Sequence, residues 1–285
     1  MQISAPYYSF IFKHTFHTCK FLGMDKSSTI AVIKATIGIL AREDPNSKPP
    51  EVVCQIQEVV RHITKNPDPY KDAKEKSTKN ALELYPYLKK LVAESQHPFD
   101  TAVRIAIAGN IIDFGLPVVF DLKDTIRRVL DQPFAVNHLS DLQAVINRST
   151  NILFISDNAG ETVFDRILIE YIDKPVIYAV KAGPIINDAT FEDALSAGID
   201  KIAKILSCGA QTPGTVLRLC SDEFLNYFDN VDLIISKGQA NYIMLDGLDA
   251  RIFHLLQIKS QYLEYISGFP IKSILVKRSA ENDTH

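Results

Sequence analysis

The spacing of apolar residues along the chain changes near residue 150. Before that point, apolar residues recur three or four positions apart and predict helices with one buried face. The clearest such faces comprise Ile30, Ile33, Ile37 and Leu40, and then Val52, Val53, Ile56, Val59, Val60 and Ile63. From Asn151 onward, short unbroken apolar runs alternate with helical segments. Such runs are typical of strands buried on both faces, and they predict strands at 151–156, 175–180, 215–220, 231–236, 251–257 and 272–277.

This alternation predicts an α/β fold. Because helices that follow strands pack back onto a sheet, we expect a mostly parallel, Rossmann-like sheet with helices on both faces, preceded by an all-helical domain. We place the helical domain at residues 1–100 and the α/β domain at 101–285, with a helical lead-in at 101–150. The polar stretch 41–50 is the clearest connecting loop, and its Pro50 suits the first position of a helix. Residues 71–79 are rich in charge and predict a solvated helix face.

The most informative polar residues follow the first predicted strand. The apolar run Asn151–Ile155 leads directly into the segment Ser156–Thr162, which contains Asp157 and Asn158. Ligands of α/β proteins bind in the crevice at the carboxyl ends of the strands. A carboxylate buried there costs several kcal/mol unless it is paired or bound to a metal. Asp157 and Asn158 are therefore candidate functional residues; the alternative is a helix N-cap or a turn at the strand end.

A second candidate lies one strand–helix unit further along the chain. Asp188 follows the predicted strand 175–180. Parallel strands joined by a right-handed crossover bring their carboxyl ends to one edge of the sheet, so we expect Asp188 to lie near Asp157. The alternative for Asp188 is a turn residue, in a region where Thr190 and Asp193 nearly form a helix-capping box.

A third strand end supplies the opposite charge. Lys237 follows the predicted strand 231–236 and precedes a glycine, a pattern that suits contact with an anion; the alternative is a solvated loop lysine. Asp157, Asn158 and Asp188 offer oxygen ligands that suit a hard divalent cation such as Mg²⁺ or Mn²⁺. Such a cation polarises a phosphoryl group and lowers the pKa of a bound water, and a lysine stabilises the transferring charge. The set is typical of a phosphohydrolase.

Five sequence blocks resemble the metal-dependent damage-control phosphatases, a family formerly called domain of unknown function 89. They are Asn66-Pro67-Asp68-Pro69-Tyr70 with Lys74, Ala108-Gly109-Asn110-Ile111-Ile112-Asp113-Phe114-Gly115, Asp157-Asn158-Ala159-Gly160-Glu161-Thr162-Val163-Phe164-Asp165-Arg166, Asn187-Asp188-Ala189-Thr190 and Ile235-Ser236-Lys237-Gly238-Gln239. The blocks lie in the family's order and span most of the chain. The chain is most similar to the shorter archaeal and bacterial members.

The resemblance implies roles for seven side chains. A divalent metal ion is implied at Asp157, Asn158 and Asp188, and contacts with the substrate are implied at Lys237, Asn110, Glu161 and Asp113. Asp157, Asn158 and Lys237 are then the expected catalytic residues, and Glu161 either touches substrate or supports the metal ligands. Alternatives exist for two of these residues. Gly109 and Asn110 also fit a helix C-cap, and Glu161 fits a favourable acid in the first turn of a helix.

The chain departs from the family pattern in two places. The family commonly carries a Cys-x-x-Cys pair in its first helix, whereas this chain has Ser9–Phe12 and an isolated Cys19. The family often continues its Lys-Gly-Gln block with Gly-Asn-Tyr-Glu, whereas this chain has Ala240–Ile243. Because the missing acid falls near the expected pocket, we expect an altered substrate preference or reduced activity.

Composition narrows the functional classes. A net charge of −3, a pI near 6.2 and the lack of a basic stripe argue against nucleic-acid binding. We find neither a signal-peptide pattern nor an apolar span long enough for a membrane, and the four cysteines lack metal-site spacing, so we expect a cytoplasmic protein with reduced thiols. His254, on a predicted strand, fits a core histidine better than a ligand.

The predicted function is hydrolysis of small phosphorylated metabolites by metal-activated water. The resemblance implies sugar phosphates or damaged phosphometabolites as substrates, and Mg²⁺, Mn²⁺, Co²⁺ or Ni²⁺ as cofactor. The Asp-x-Asp spacing of aspartyl-phosphate phosphatases is missing, which favours direct attack by water. Two alternatives remain open: a protein carboxyl methyltransferase, for which the sequence lacks a glycine-rich strand-end loop, and a non-catalytic protein that binds metal or phosphometabolites on the same scaffold. The sequence does not select an oligomeric state.

Overall fold

The computed structural model describes residues 4–44, 46–111 and 122–280. The helices within these residues are α1 (Ala5–Phe21), α2 (Lys26–Leu40), α3 (Pro49–Thr64), α4 (Lys71–Ala93), α5 (Pro98–Ile111), α6 (Leu122–Asp131), α7 (Leu139–Arg148), α8 (Thr162–Ile172), α9 (Phe191–Ser196), α10 (Asp222–Asn230), α11 (Gln239–Leu245) and α12 (Gln261–Ser267). The strands are β1 (Phe134–Asn137), β2 (Ile152–Ile155), β3 (Val176–Val180), β4 (Lys204–Ser207), β5 (Leu233–Lys237), β6 (Ile252–Gln257) and β7 (Ile274–Arg278).

The described strands form one sheet in the order β1-β7-β6-β5-β2-β3-β4. All neighbouring strands from β6 to β4 pair in parallel, whereas β7 is antiparallel to β6 and β1 is parallel to β7. The predicted mostly parallel, Rossmann-like α/β fold is therefore confirmed. Because five consecutive strands point the same way, the carboxyl ends of β6, β5, β2, β3 and β4 share one edge of the sheet.

Helices cover both faces of this sheet. Alternate residues of β2 point to opposite faces: Ile152 and Phe154 join one buried cluster, and Leu153 and Ile155 join the other. The first cluster draws its helical residues from α4 to α9, and the second from α1, α2, α3, α10, α11 and α12. The helices of the first hundred residues thus share buried clusters with the strands. A division into domains at 1–100 and 101–285 stays a prediction.

The central strands lie within a few residues of their predicted positions, but the predicted strand 215–220 is wrong. That segment forms a 3₁₀ turn at Leu217–Leu219, and its Leu219 is exposed, so the apolar run is not buried on two faces. The prediction also missed β1 and β4, including the expectation of little strand character before residue 150. Both lie at the edges of the sheet and have exposed or half-exposed positions, so they lack the unbroken apolar run used to recognise strands.

The predicted helices over Ile30–Leu40 and Val52–Ile63 are confirmed as α2 and α3, with prolines in the first turn of α3. The charged segment 71–79 lies in α4 and is mostly exposed, but Lys74 is buried. His254 is fully buried in β6, as expected of a core residue. Among the described helices, none has both the length and the apolar character needed to cross a membrane.

Candidate active site

Two loops at the carboxyl edge of the sheet bring the predicted metal ligands together. Asp157 and Asn158 lie in the loop after β2, and Asp188 lies in the loop between β3 and α9. The backbone N–H of Ala189 donates to the carbonyl of Asp157 at 2.8 Å, and Asn158 and Asp188 are antiparallel bridge partners. The juxtaposition expected from parallel strand order is therefore present, and the backbone of the loops fixes it.

Amide side chains hold the carboxylate of Asp157. The Nδ2 group of Asn110 donates to Oδ2 of Asp157 at 2.7 Å and to Oε2 of Glu161 at 3.0 Å. The Nδ2 group of Asn158 donates to the same two oxygens at 3.1 Å each. Asn110 and Glu161 are buried, and neither lies on the wall of the cavity described below. Their interactions support a role in positioning Asp157.

Two glycines, Gly109 and Gly238, leave room for the side chains around Asp157. Gly109 lies inside α5, not at a C-cap, and a Cβ there would lie 2.7 Å from the Cβ of Phe164 in α8. The missing side chain lets the two helices approach, and this places Asn110 against Asp157. Gly238 has a φ of +81°, and a Cβ there would lie 2.0 Å from Oδ2 of Asp157. The predicted substrate residue Asp113 lies outside the described residues.

Lys237 lies behind the site. Its side chain is fully buried, and its Nζ donates to Oε1 of Glu161 and Oδ1 of Asp165, at 2.5 Å each, and to the carbonyl of Ala106 at 2.9 Å. Burial acts to lower the pKa of Lys237, but the carboxylates of Asp165 and Glu161 outweigh it and raise that pKa above its usual value. Because all three ammonium hydrogens are used, the geometry does not bring Lys237 to a substrate phosphate.

Two other lysines at this edge were missed by the sequence reasoning. Lys181, directly after β3, places Nζ 3.6 Å from Oδ2 of Asp188 and donates to the carbonyl of Gly214 at 2.7 Å. Lys259 follows β6 at the same edge and lines the cavity. The available signal was a lysine shortly after a buried strand, which is also the pattern of a solvated loop lysine.

The carboxylates of the site crowd one another in a buried setting. Burial raises the pKa of Asp157 well above its usual range, and the nearby charges of Glu161 and Asp188 add to this effect, whereas Lys259 and Lys181 oppose it. Burial also raises the pKa of Asp188 to about 7, against the lowering influence of Lys181. Such crowding is relieved when a cation binds between carboxylates.

The donor chemistry fits a hard divalent cation. Oδ2 of Asp188 is buried and faces the Lys181 ammonium at 3.6 Å, but it accepts no hydrogen bond within the described part of the chain, so it can serve as a ligand. The described residues contain no cluster of three His, Cys, Asp or Glu side chains placed to hold a metal. The candidate ligand set instead comprises two carboxylates, Asp157 and Asp188, and the amide of Asn158, whose oxygens are ligands typical of Mg²⁺ and Mn²⁺.

The candidate ligands open onto a cavity of about 180 Å³ between the sheet edge and the N-terminal helices. The residues that matter on the sheet side are Asp157, Asn158, Asp188, Gln239, Ile243 and Lys259. Those on the helical side include Phe10, His14, Thr18, Phe21 and Tyr70. Both departures from the family pattern therefore lie at this cavity, because Ile243 stands at the position of the missing acid and Phe10 falls in the segment that lacks the cysteine pair.

The block around Lys74 braces the loop that carries Asp188. Lys74 Nζ lies 3.0 Å from Oδ2 of Asp68 and 3.1 Å from Oδ2 of Asp193. The same carboxylate of Asp193 accepts hydrogen bonds from the backbone N–H of Thr190 at 2.9 Å and from its hydroxyl at 2.7 Å. The predicted capping box is confirmed, and a buried ion pair connects it to α4.

The chain is similar over most of its length to known proteins. The family model of the damage-control phosphatase ARMT1-like domain matches residues 8–273. A damage-control phosphatase of Archaeoglobus fulgidus is 30% identical over 288 residues, which cover 97% of this chain and 99% of that protein. A damage-control phosphatase of Pyrococcus horikoshii is 40% identical over 200 residues, which cover 68% and 69%. The crystal structure of a DUF89 family protein from P. horikoshii matches with a TM-score of 0.89 at 31% identity, covering 98% of this chain and 100% of that chain.

Proposed function

This chain belongs to the ARMT1-like damage-control phosphatase family, and on that premise we propose that it is a metal-dependent phosphatase of small phosphorylated metabolites. The homologues named damage-control phosphatase support phosphatase activity on phosphometabolites. The observation that carries the proposal is the convergence of Asp157, Asn158 and Asp188 on a cavity that also receives Lys259. Sugar phosphates and damaged phosphometabolites are the proposed substrates.

Each side chain has a proposed role that follows from its place at the site. Asp157, Asn158 and Asp188 would hold Mg²⁺, Mn²⁺, Co²⁺ or Ni²⁺, which supplies positive charge to the phosphoryl oxygens and lowers the pKa of a water. Lys259 lines the cavity and is the lysine that we assign to the substrate phosphate. Lys181, whose Nζ lies 3.6 Å from Oδ2 of Asp188, would offset the negative charge of that carboxylate.

The contacts of Asp157 favour a ligand over a nucleophile. Its Oδ2 accepts hydrogen bonds from both Asn110 and Asn158 and lies against Gly238, so the carboxylate is held in one orientation. A fixed carboxylate suits a metal ligand. The proposal is therefore direct attack by water on phosphorus, without an aspartyl-phosphate intermediate. The named relatives favour this reaction over carboxyl methylation.

Phosphate release from metal-stripped protein tests the proposal. Phenyl phosphate and a panel of metabolite monophosphates are supplied while each divalent cation is restored in turn. We expect release that depends on the cation, that falls at least about 100-fold in Asp188→Asn and that is unchanged in Asp200→Asn, an exposed aspartate of the neighbouring turn. Release without added cation, or equal release by Asp188→Asn and wild type, would contradict the metal-dependent mechanism. Cation binding without release from any ester would favour the non-catalytic alternative.

A further inference from the structure

The helical wall of the cavity carries a short chain of hydrogen bonds. The hydroxyl of Tyr70 donates to Oγ1 of Thr18 at 3.2 Å, and the amide of Gln57 donates to the same oxygen at 3.3 Å. Nε2 of Gln57 also lies 3.4 Å from Nε2 of His14. Tyr70, Thr18 and Gln57 are buried, and Tyr70, Thr18 and His14 line the cavity. These contacts fix the position of the Thr18 hydroxyl at the wall.

The hydrogen of that hydroxyl is directed differently from those of neighbouring threonines. Thr15 and Thr36 donate to the backbone carbonyls four residues earlier, at 2.9 Å each. The Thr18 hydroxyl differs from these two, because it accepts hydrogen bonds from Gln57 and Tyr70. With Tyr70 and Gln57 donating to Oγ1, the hydroxyl hydrogen of Thr18 is left for a further acceptor. A buried donor without an acceptor is costly, and Thr18 lines the cavity, where a bound ligand would supply that acceptor.

The surroundings of Thr18 suit an uncharged ligand group. The rings of Phe21 and Tyr70 stack in parallel, with centroids 5.2 Å apart and planes 9° apart, and both line the cavity. Burial raises the pKa of Tyr70, so its hydroxyl remains a donor. The described residues that line this wall include histidines but no Lys, Arg, Asp or Glu. The wall therefore combines an apolar surface with one directed hydrogen-bond donor.

We infer that Thr18 is a specificity-determining residue of a leaving-group subsite, and that Tyr70 and Gln57 position it. The subsite accepts the organic part of a phosphate monoester when that part is uncharged and carries an oxygen acceptor, such as a hydroxyl or carbonyl oxygen. The inference rests on the proposed phosphatase function, because the phosphate is bound at the opposite, carboxylate-bearing wall. It assigns the choice of substrate to α1, outside the predicted α/β domain.

Matched variants and matched substrates test the subsite. Thr18→Val removes the hydroxyl at nearly constant volume, Thr18→Ser keeps it, and Thr15→Val is the control, since Thr15 is equally buried in α1 but is not on the cavity wall. The substrates are monophosphates of neutral aldoses and polyols, compared with phenyl phosphate, whose leaving group has no further oxygen.

We expect Thr18→Val to lower kcat/KM for the preferred polyol or aldose phosphate by about 10-fold, mainly through KM, and to change phenyl phosphate hydrolysis by less than about twofold. Thr18→Ser and Thr15→Val should resemble wild type with both substrates. An equal loss on both substrates would overturn the inference, because it indicates a structural role. Unchanged kinetics in Thr18→Val would overturn it as well.

Equilibrium binding separates this inference from the proposed function. If wild type hydrolyses no ester with any cation, the phosphatase proposal fails, and calorimetric binding to the cation-loaded protein decides the subsite. Binding of a polyol monophosphate about 10-fold tighter than inorganic phosphate, lost in Thr18→Val and kept in Thr18→Ser, supports the subsite. Equal affinity for the two ligands overturns it.

Discussion

Single residues around Asp157 are placed with little spare room. Asn110 and Asn158 donate to one carboxylate oxygen, and Gly238 touches the same oxygen with its backbone. A side chain at position 238 would occupy the volume that Oδ2 now fills. The glycine that follows Lys237 is therefore required by the geometry of the candidate metal ligand, in addition to its backbone conformation.

A comparison of two glycine variants isolates that steric requirement. Gly238 and Gly268 have φ angles of +81° and +75°, but only the Cβ of Gly238→Ala would collide with Asp157; at Gly268 no atom lies within 4 Å. We expect Gly268→Ala to lose about 1–2 kcal/mol, because Gly268 has a left-handed backbone with ψ near 4°. Gly238→Ala should lose at least as much stability, because Gly238 has a ψ of 166°, a region that essentially only glycine adopts. Gly238→Ala should in addition weaken cation binding at least about 10-fold, as measured by calorimetric titration. Similar cation affinities in the two variants would show that Asp157 tolerates the displacement.

A second residue-scale prediction concerns the buried ammonium of Lys237. Lys237→Met leaves the carboxylates of Glu161 and Asp165 buried without their cation. Breaking a buried ion pair from one side lowers the free energy of unfolding by about 3–5 kcal/mol, and we expect that loss in urea unfolding.

Lys204→Met is the control for this loss, because Lys204 is exposed and its pair with Glu223 lies at the surface. We expect the control to unfold at nearly the wild-type urea concentration. Near-native stability of Lys237→Met itself would contradict a stabilising role for this buried ion-pair cluster.

The positions of the candidate ligands could be predicted from the sequence, whereas the contacts of the lysines could not. Asp157 and Asp188 follow β2 and β3. Because these strands are buried on both faces, every residue in them is apolar, and such runs are easy to recognise in a sequence. The partners of Lys237 depend on where Asp165 of α8 and Glu161, the residue just before α8, are placed, and that placement follows from the packing of α8 against α5. Lys259 was missed because a cation after a strand looks the same in sequence whether it meets solvent or a cavity.

At the scale of elements, α4 and α9 are joined through one lysine. Lys74 of α4 bridges Asp68 and Asp193, and Asp193 caps the helix that follows the Asp188 loop. The charged run of α4 disguises this role in the sequence, because its neighbours are solvated. The sequence does not distinguish Lys74 from the other lysines of this segment, because its ion pairs form with residues outside α4.

Replacing Lys74 should lower the stability of the fold. Lys74→Met leaves two acidic side chains at a mostly buried junction, and we expect the free energy of unfolding to fall by about 3 kcal/mol. Lys71→Met, on the exposed face of the same helix, should unfold like wild type in the same urea titration. Equal stabilities of the two variants would contradict the bracing role of Lys74.

The sequence predicted the central strands and missed the edge strands for one reason. β2, β3 and β5 are buried on both faces; β2 and β3 are unbroken apolar runs, and β5 begins with Leu233-Ile234-Ile235. β1 and β4 have a single neighbour each, and β4 begins with an exposed lysine. A strand with one covered face needs fewer apolar residues, so a short edge strand is hard to distinguish from a loop.

For the whole molecule, stability without a cation should depend on pH. The folded state raises the pKa of Asp188 from 3.8 to about 7, and so binds its proton more tightly than the unfolded chain does. The stability from this group is therefore complete below about pH 4 and is lost as pH rises towards 7. We expect the Tm of chelator-treated protein to fall by several degrees over this range from this group.

Thermal unfolding with and without a cation measures this effect. Subtracting the curve of Asp188→Asn removes the contribution of other groups, such as His254, whose burial lowers its pKa to about 3. Saturating Mn²⁺ should raise the wild-type Tm most at neutral pH, where the carboxylates are ionised in its presence. A pH profile that Asp188→Asn leaves unaltered would refute the assignment.

The packing of α1 against α12 has a consequence for synthesis of the protein. Lys13 donates to Gln261 at 2.5 Å, across 248 positions of the chain, and the rings of Tyr7 and Tyr262 meet edge to face. At 5–20 residues per second, α1 leaves the ribosome roughly 12–50 s before its partner helix. Throughout that interval, α12 is not yet available to pack on the apolar face of α1, and Lys259 is not yet available to line the cavity. During that interval we expect the nascent chain to expose part of the apolar face of α1, a surface to which chaperones can bind.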